Sequence, residues 1–114
     1  MIARIWRGAT STAKADRYFE YLQRTGIADY RATPGNRGVY VLRRVRNRTA
    51  EFMLISLWDS LDAIRAFAGP DVERARYYPQ DAEFLLELEP RAAHYEVLAG
   101  PAGPGETPPR GRRP

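Results

Sequence analysis

His94 is the one histidine in the chain, and it is the one side chain whose ordinary pKa suits proton transfer near neutrality. Arg4 and Trp6 lie two residues apart in an alternating stretch, so they share one face of a strand. A guanidinium there can hold an anion, or it can lay its stem along apolar surface and pair with a carboxylate. Tyr77 and Tyr78 are neighbours just before Pro79, and two adjacent rings cannot both point into one core, which leaves one free to rim a pocket. Trp58 ends an apolar run, where a large ring plugs a core corner as readily as it lines a ligand site. The chain has no cysteine, so disulfides, thiolate chemistry and cysteine metal sites are excluded. A metal centre would have to rest on carboxylates around a single imidazole, and none is expected.

The elements that position these residues can be read along the chain. Residues 1–8 alternate as a first strand, with no long apolar segment of a signal peptide. Residues 12 to about 26 carry a helical stripe of Ala15, Phe19, Leu22 and Ile27, and Gly26 is placed to end that helix. Thr33-Pro34-Gly35-Asn36 is a turn sequence. Residues 38–45 and 52–58 are β-prone runs joined by a short polar link, which makes an antiparallel hairpin. Ser60 then caps a helix whose Leu61, Ile64 and Phe67 share a face, and Gly69-Pro70 stops it. Residues 70–78 read as a further short helix, and residues 81–86 as irregular or one helical turn. The last strand lies within 87–98, chiefly 94–98.

The order β-α-β-β-α-(α)-β is the split βαβ, ferredoxin-like order, an α+β fold with one antiparallel sheet and helices on one face. Val39-Tyr40-Val41-Leu42 and Met53-Leu54-Ile55 are apolar at consecutive positions, so both faces of the sheet must be covered. In a chain of 114 residues the economical cover for the second face is another copy of the same sheet, and a homodimer is expected. Hydrophobic content of 44% and charged content of 28% are those of an ordinary globular domain. The formal charge of +4 gives no reason to expect nucleic acid, because Arg110, Arg112 and Arg113 against Glu106 put half of it in the last residues. Arg37, Arg43, Arg44, Arg46 and Arg48 cluster on the hairpin, as an anion patch or as a solvated end with ion pairs. No apolar run is long enough to span a membrane, and a cytoplasmic protein is expected. The domain is assigned to residues 1–98, and residues 99–114, rich in glycine, proline and arginine, to a disordered tail.

The strand-to-helix sequence Leu57-Trp58-Asp59-Ser60 with Ala63, Ile64 and Phe67 resembles the antibiotic biosynthesis monooxygenase-like family, and His94-Tyr95-Glu96-Val97 fits its closing strand. The resemblance covers residues 1–98 and implies a dimeric α/β barrel, two sheets packed face to face. For the quinone-forming members it implies an electron-rich phenol, deprotonated and oxidised directly by dioxygen without metal or flavin. On that reading Arg4, His94 and Tyr77 are the catalytic candidates, and Trp6, Tyr40, Trp58, Phe67 and Tyr78 line the cavity for a small aromatic ligand. The haem-degrading members imply an asparagine late in the first strand, a tryptophan in the second helix and a histidine ten residues on. Here Arg4 and Trp6, Phe67 and Tyr77 stand at those places. The iron-binding histidine is missing, so no haem is expected, although a Tyr77 phenolate can ligate iron.

Overall fold

The computed structural model describes residues 1–100; the tail from 101 to 114 lies outside the described residues. Strand β1 (Ile2–Ser11) runs straight into helix α1 (Thr12–Arg24), which is followed by α2 (Gly26–Ala32). Strands β2 (Asn36–Arg46) and β3 (Thr49–Trp58) form the expected hairpin. Helix α3 (Leu61–Ala68), the single turn α4 (Asp81–Phe84) and the short strand β4 (Ala93–Glu96) complete the order. All pairings are antiparallel, in the order β2-β3-β1-β4. This is the α+β ferredoxin-like arrangement anticipated from the sequence.

Sheet alternation decides what meets the helices. On β3, Ala50, Phe52, Leu54, Ser56 and Trp58 are buried under the helices, while the residues between them are only partly covered. Arg4, Trp6 and Thr10 of β1 lie on the same buried face. The opposite face carries Ile5, Tyr40, Leu42, Met53, Ile55 and Tyr95, brought side by side by the register. No described element covers that face, and Tyr40 and Tyr95 are 53% and 58% exposed. Both faces of the central strands are therefore apolar, as their consecutive large residues require.

Four local expectations are corrected. The first helix buries Ala15, Tyr18, Tyr21 and Leu22, whereas Phe19 points outward. Gly26 does not end the helical region: Thr25 breaks α1, its hydroxyl and N–H both bonded to the Tyr21 carbonyl, and Gly26 opens α2. The hairpin link shrinks to Asn47 and Arg48, both at positive φ, the conformation in which a two-residue turn matches the twist of its strands. Residues 70–78 are not helical. Their backbone instead pairs with the approach to β4, Ala75 N–H donating to the Pro90 carbonyl (2.9 Å) and Ala92 N–H to the Glu73 carbonyl (2.8 Å). An irregular connection from 69 to 80, with a turn over 71–74, thus joins α3 to α4 and pairs with the approach to β4.

Two small residues set how α3 meets the sheet. Ser60 caps the helix, its hydroxyl accepting from Ala63 N–H at 3.1 Å. Gly35, at φ +90°, lies so close that a Cβ there would stand 2.6 Å from that of Ala63. The Asp59 N–H donates to the Gly35 carbonyl at 2.9 Å and ties the two corners together.

Candidate functional site

Arg4 is the most unusual side chain of the interior: a guanidinium 2% exposed, on the sheet face that meets the helices. Its Nη2 donates to the Arg74 carbonyl at 2.9 Å, and the group stands 5.5 Å from the centre of the Phe67 ring. Among the described residues it makes no ion pair, and its Nε has no partner. One orphaned buried N–H costs about 1–3 kcal/mol, and an unneutralised buried charge costs more. Burial holds the Tyr30 hydroxyl above its ordinary pKa, and the nearby Arg4 charge partly opposes the rise.

His94 is Arg4's partner across the β1–β4 pair. Its buried Nε2 also lacks a hydrogen-bond partner. Burial lowers the imidazole pKa, and the Arg4 charge lowers it further, against a smaller opposing pull from Glu73. The neutral imidazole is thus favoured.

Around Arg4 the aromatic residues interlock. Trp6 lies over Gly8, where a Cβ would come within 2.3 Å of the indole, so glycine is what allows the ring to lie down. The Trp6 N–H donates to the Tyr77 hydroxyl at 3.1 Å, which in turn donates to the Glu89 carbonyl at 2.5 Å. Trp58 donates to Ser56 at 2.8 Å and packs on Tyr30 and Phe67. Arg76 sits over both Phe67 (5.0 Å) and Tyr78 (5.1 Å). It pairs with Asp29 at 3.3 Å, and Asp29 also accepts from the Tyr78 hydroxyl at 2.5 Å. Burial first, and the bond to Asp29 next, raise the Tyr78 pKa. Burial likewise raises the Asp81 carboxyl, opposed by the Tyr78 N–H that it accepts at 2.6 Å.

The cavity between sheet and helices is about 30 Å³, lined by Arg4, Trp6, Phe67, Tyr77 and Tyr78 among the residues singled out from sequence. That is room for a water or a small ion, not for a ring system. Trp58 stands behind Phe67, outside the lining, and His94 flanks Arg4 on the edge strand. Tyr40 is on the other side of the sheet. Sequence reading passed over Tyr18, Tyr30, Arg76 and Asp81, which also line the cavity. The three-residue spacing of Ala15, Tyr18 and Tyr21 was a signal for the first of these; Arg76 lay in a segment expected to be helical, and Tyr30 in one given no element.

A second and larger hollow, about 590 Å³, lies on the uncovered sheet face. Leu42, Met53, Arg7 and Arg44 form its floor, and Leu86, Glu87 and Glu89 its wall.

No family model matches the sequence, and no curated protein matches it. Solved structures do. A Bacillus cereus protein named for antibiotic biosynthesis monooxygenases superposes with a TM-score of 0.62 at 17% identity, over 90% of this chain and 96% of that one. A variant of MhuD with two manganese protoporphyrin IX bound per active site gives 0.57 at 20% identity, over 90% and 100%. The heme-degrader MhuD from Mycobacterium tuberculosis, with two hemes bound in its active site, gives 0.54 at 21% identity over the same shares.

The porphyrin of the MhuD structures does not fit the interior of this chain as it stands. A cavity of about 30 Å³ cannot take a macrocycle. Tyr77 spends its hydroxyl on Trp6 and Glu89, and His94 lies against a buried cation rather than in the cavity wall. At these identities the likeness establishes the fold: the chain is built on the α+β, ferredoxin-like fold of the antibiotic biosynthesis monooxygenase-like proteins.

Proposed function

We propose that this protein is a cofactor-independent oxygenase that converts an aromatic phenol or polyketide to a quinone, working as a homodimer joined through its sheet faces. The observation that carries this reading is Arg4, a buried cation that has no counter-ion among the described residues and stands at the wall of an aromatic-lined cavity. Such a group stabilises a phenolate where water cannot. Tyr77 and Tyr78 line the cavity that holds the ring, and the neutral His94, opposite Arg4 on β4 and outside that lining, takes the phenolic proton once the site opens as far as Arg4's strand partner. The ionised substrate passes electrons to dioxygen; one oxygen atom forms the new carbonyl and the other leaves as water, which carries away the phenolic proton and one ring hydrogen.

A ring system enters only if the connection from 69 to 80 moves, because that connection supplies Arg76, Tyr77 and Tyr78 to the cavity wall. It holds by the Arg76–Asp29 pair, side-chain hydrogen bonds and the short backbone pairing of residues 73–75 with 90–92, rather than by a regular element. The test is aerobic incubation with anthrone- and naphthol-type compounds. Quinone absorbance should grow in proportion to protein and vanish in Arg4→Gln. Ligands that raise the melting temperature while no quinone forms would replace oxygenation by binding alone. The hollow of about 590 Å³ on the open sheet face favours that second reading, a dimeric barrel holding a small hydrophobic ligand between its sheets. Hemin should give no Soret shift with either.

A further inference from the structure

Among the described residues two buried nitrogen atoms lack partners, Arg4 Nε and His94 Nε2, and they belong to residues directly opposite one another on β1 and β4. Opposed residues of an antiparallel pair project to the same side of the sheet, so two unmet hydrogen-bonding groups stand together in one region. Groups in that position find a partner in nearly every folded protein. Arg4 is 2% exposed and lines the cavity of about 30 Å³, which has room for one small species, while His94 flanks Arg4 from outside that lining.

We propose that Arg4 and His94 together form a binding site for a single monovalent anion, chloride or a carboxylate. The anion accepts from Arg4 Nε and, when the imidazole is protonated, from His94 Nε2. The site uses the same arginine as the oxygenase reading but none of its chemistry, and it holds for a protein that only binds.

The charged surroundings favour this over a neutral water. Facing His94 are the Arg4 guanidinium from β1 and Glu73 from the connection after α3. Glu73 is shared with Arg91, to which it is paired at 3.3 Å. Arg4 itself has a carbonyl, an aromatic face and no carboxylate. An added negative charge would satisfy Arg4 and offset the repulsion that, after burial, holds down the His94 pKa, so anion and proton are taken up together.

Because His94 is the one histidine of the chain, its imidazole C–H signal is an unambiguous NMR reporter. The full chain is titrated in a buffer of large organic anions, then with chloride, formate or benzoate at matched ionic strength. The His94 midpoint should move upward with saturating dependence on the anion, by about one pH unit if the imidazolium form binds tenfold more tightly. Formate and chloride acting alone would mean a free small ion; benzoate acting alone would mean a charge carried on an aromatic ligand. Arg4→Gln, or Arg4→Met should that variant fold better, should abolish the shift. A midpoint unmoved by all three anions, or one that shifts equally in an Arg4 variant, overturns the proposal. Wild-type titration alone decides the first outcome, so loss of a variant to misfolding leaves the test intact.

Discussion

Trp6 and Tyr77 are 71 residues apart in sequence, yet the indole N–H of one is bonded to the hydroxyl of the other at 3.1 Å. The hydroxyl in turn donates to the Glu89 carbonyl, so three distant segments meet at one oxygen. Tyr77→Phe keeps the ring, and its edge-on contact with Trp6, but leaves the indole donor and the Glu89 acceptor unmet. The expected loss is about 1–3 kcal/mol in urea unfolding. If the connection from 69 to 80 is what admits ligand, the same variant should bind aromatic compounds faster than the wild type in stopped-flow fluorescence.

Gly35 illustrates a different kind of dependence. Its φ of +90° is costly for any side chain, and its missing Cβ makes room for Ala63. Gly35→Ala should therefore cost about 2–4 kcal/mol, from backbone strain and overlap together. Adding Ala63→Gly removes the overlap but not the strain. The double variant should be more stable than the sum of the two single losses predicts, and a double-mutant cycle by thermal unfolding measures the coupling.

The sequence made the sheet legible and the site only partly so. Strand order followed from apolar runs, and the cap at Ser60 followed from its own chemistry, because both signals are local. The site depends on long-range facts. Nothing near Arg4 in sequence says that its head will be sealed by Phe67, Arg74 and Tyr30. The connection from 69 to 80 misled for the same reason: Pro70 and the acidic residues after it suit a helix start, but pairing with residues 90–92 offered its backbone a better partner. Tyr40 read as one more aromatic of the pocket because its face depended on a register not visible in the hairpin sequence alone.

The lowered pKa of His94 sets a pH dependence with a definite sign. Its folded pKa lies below the ordinary value of 6.5, so the unfolded chain binds the proton more readily. Stability is therefore full above about 6.5 and declines as pH falls through that value toward the folded pKa. Asp81 acts in the opposite sense and lower on the scale: its raised pKa lets the folded state take a proton first, which favours folding as pH drops toward the ordinary 3.8. In a buffer of large organic anions, His94→Gln should flatten the decline in melting temperature between about pH 7 and 5 while leaving the lower range unchanged.

The uncovered sheet face yields the prediction with the widest reach. Ile55 lies at its centre, flanked by Ile5 on β1 and Tyr40 on β2, and points away from the helical layer. A charge placed there would remain solvated in a lone chain, where it touches none of the residues packed around Trp58 and Phe67. In a dimer joined through this face the same charge would be driven into an apolar interface of about 800 Å² per subunit, a burial no neighbouring group could compensate. Ile55→Glu should thus convert a particle of two chains into one of a single chain in sedimentation equilibrium, with its far-UV spectrum intact. Wild-type protein sedimenting as one chain at the highest concentration loaded would show instead that the face is left to water, and that its apolar residues serve a ligand in the hollow between Leu42 and Leu86.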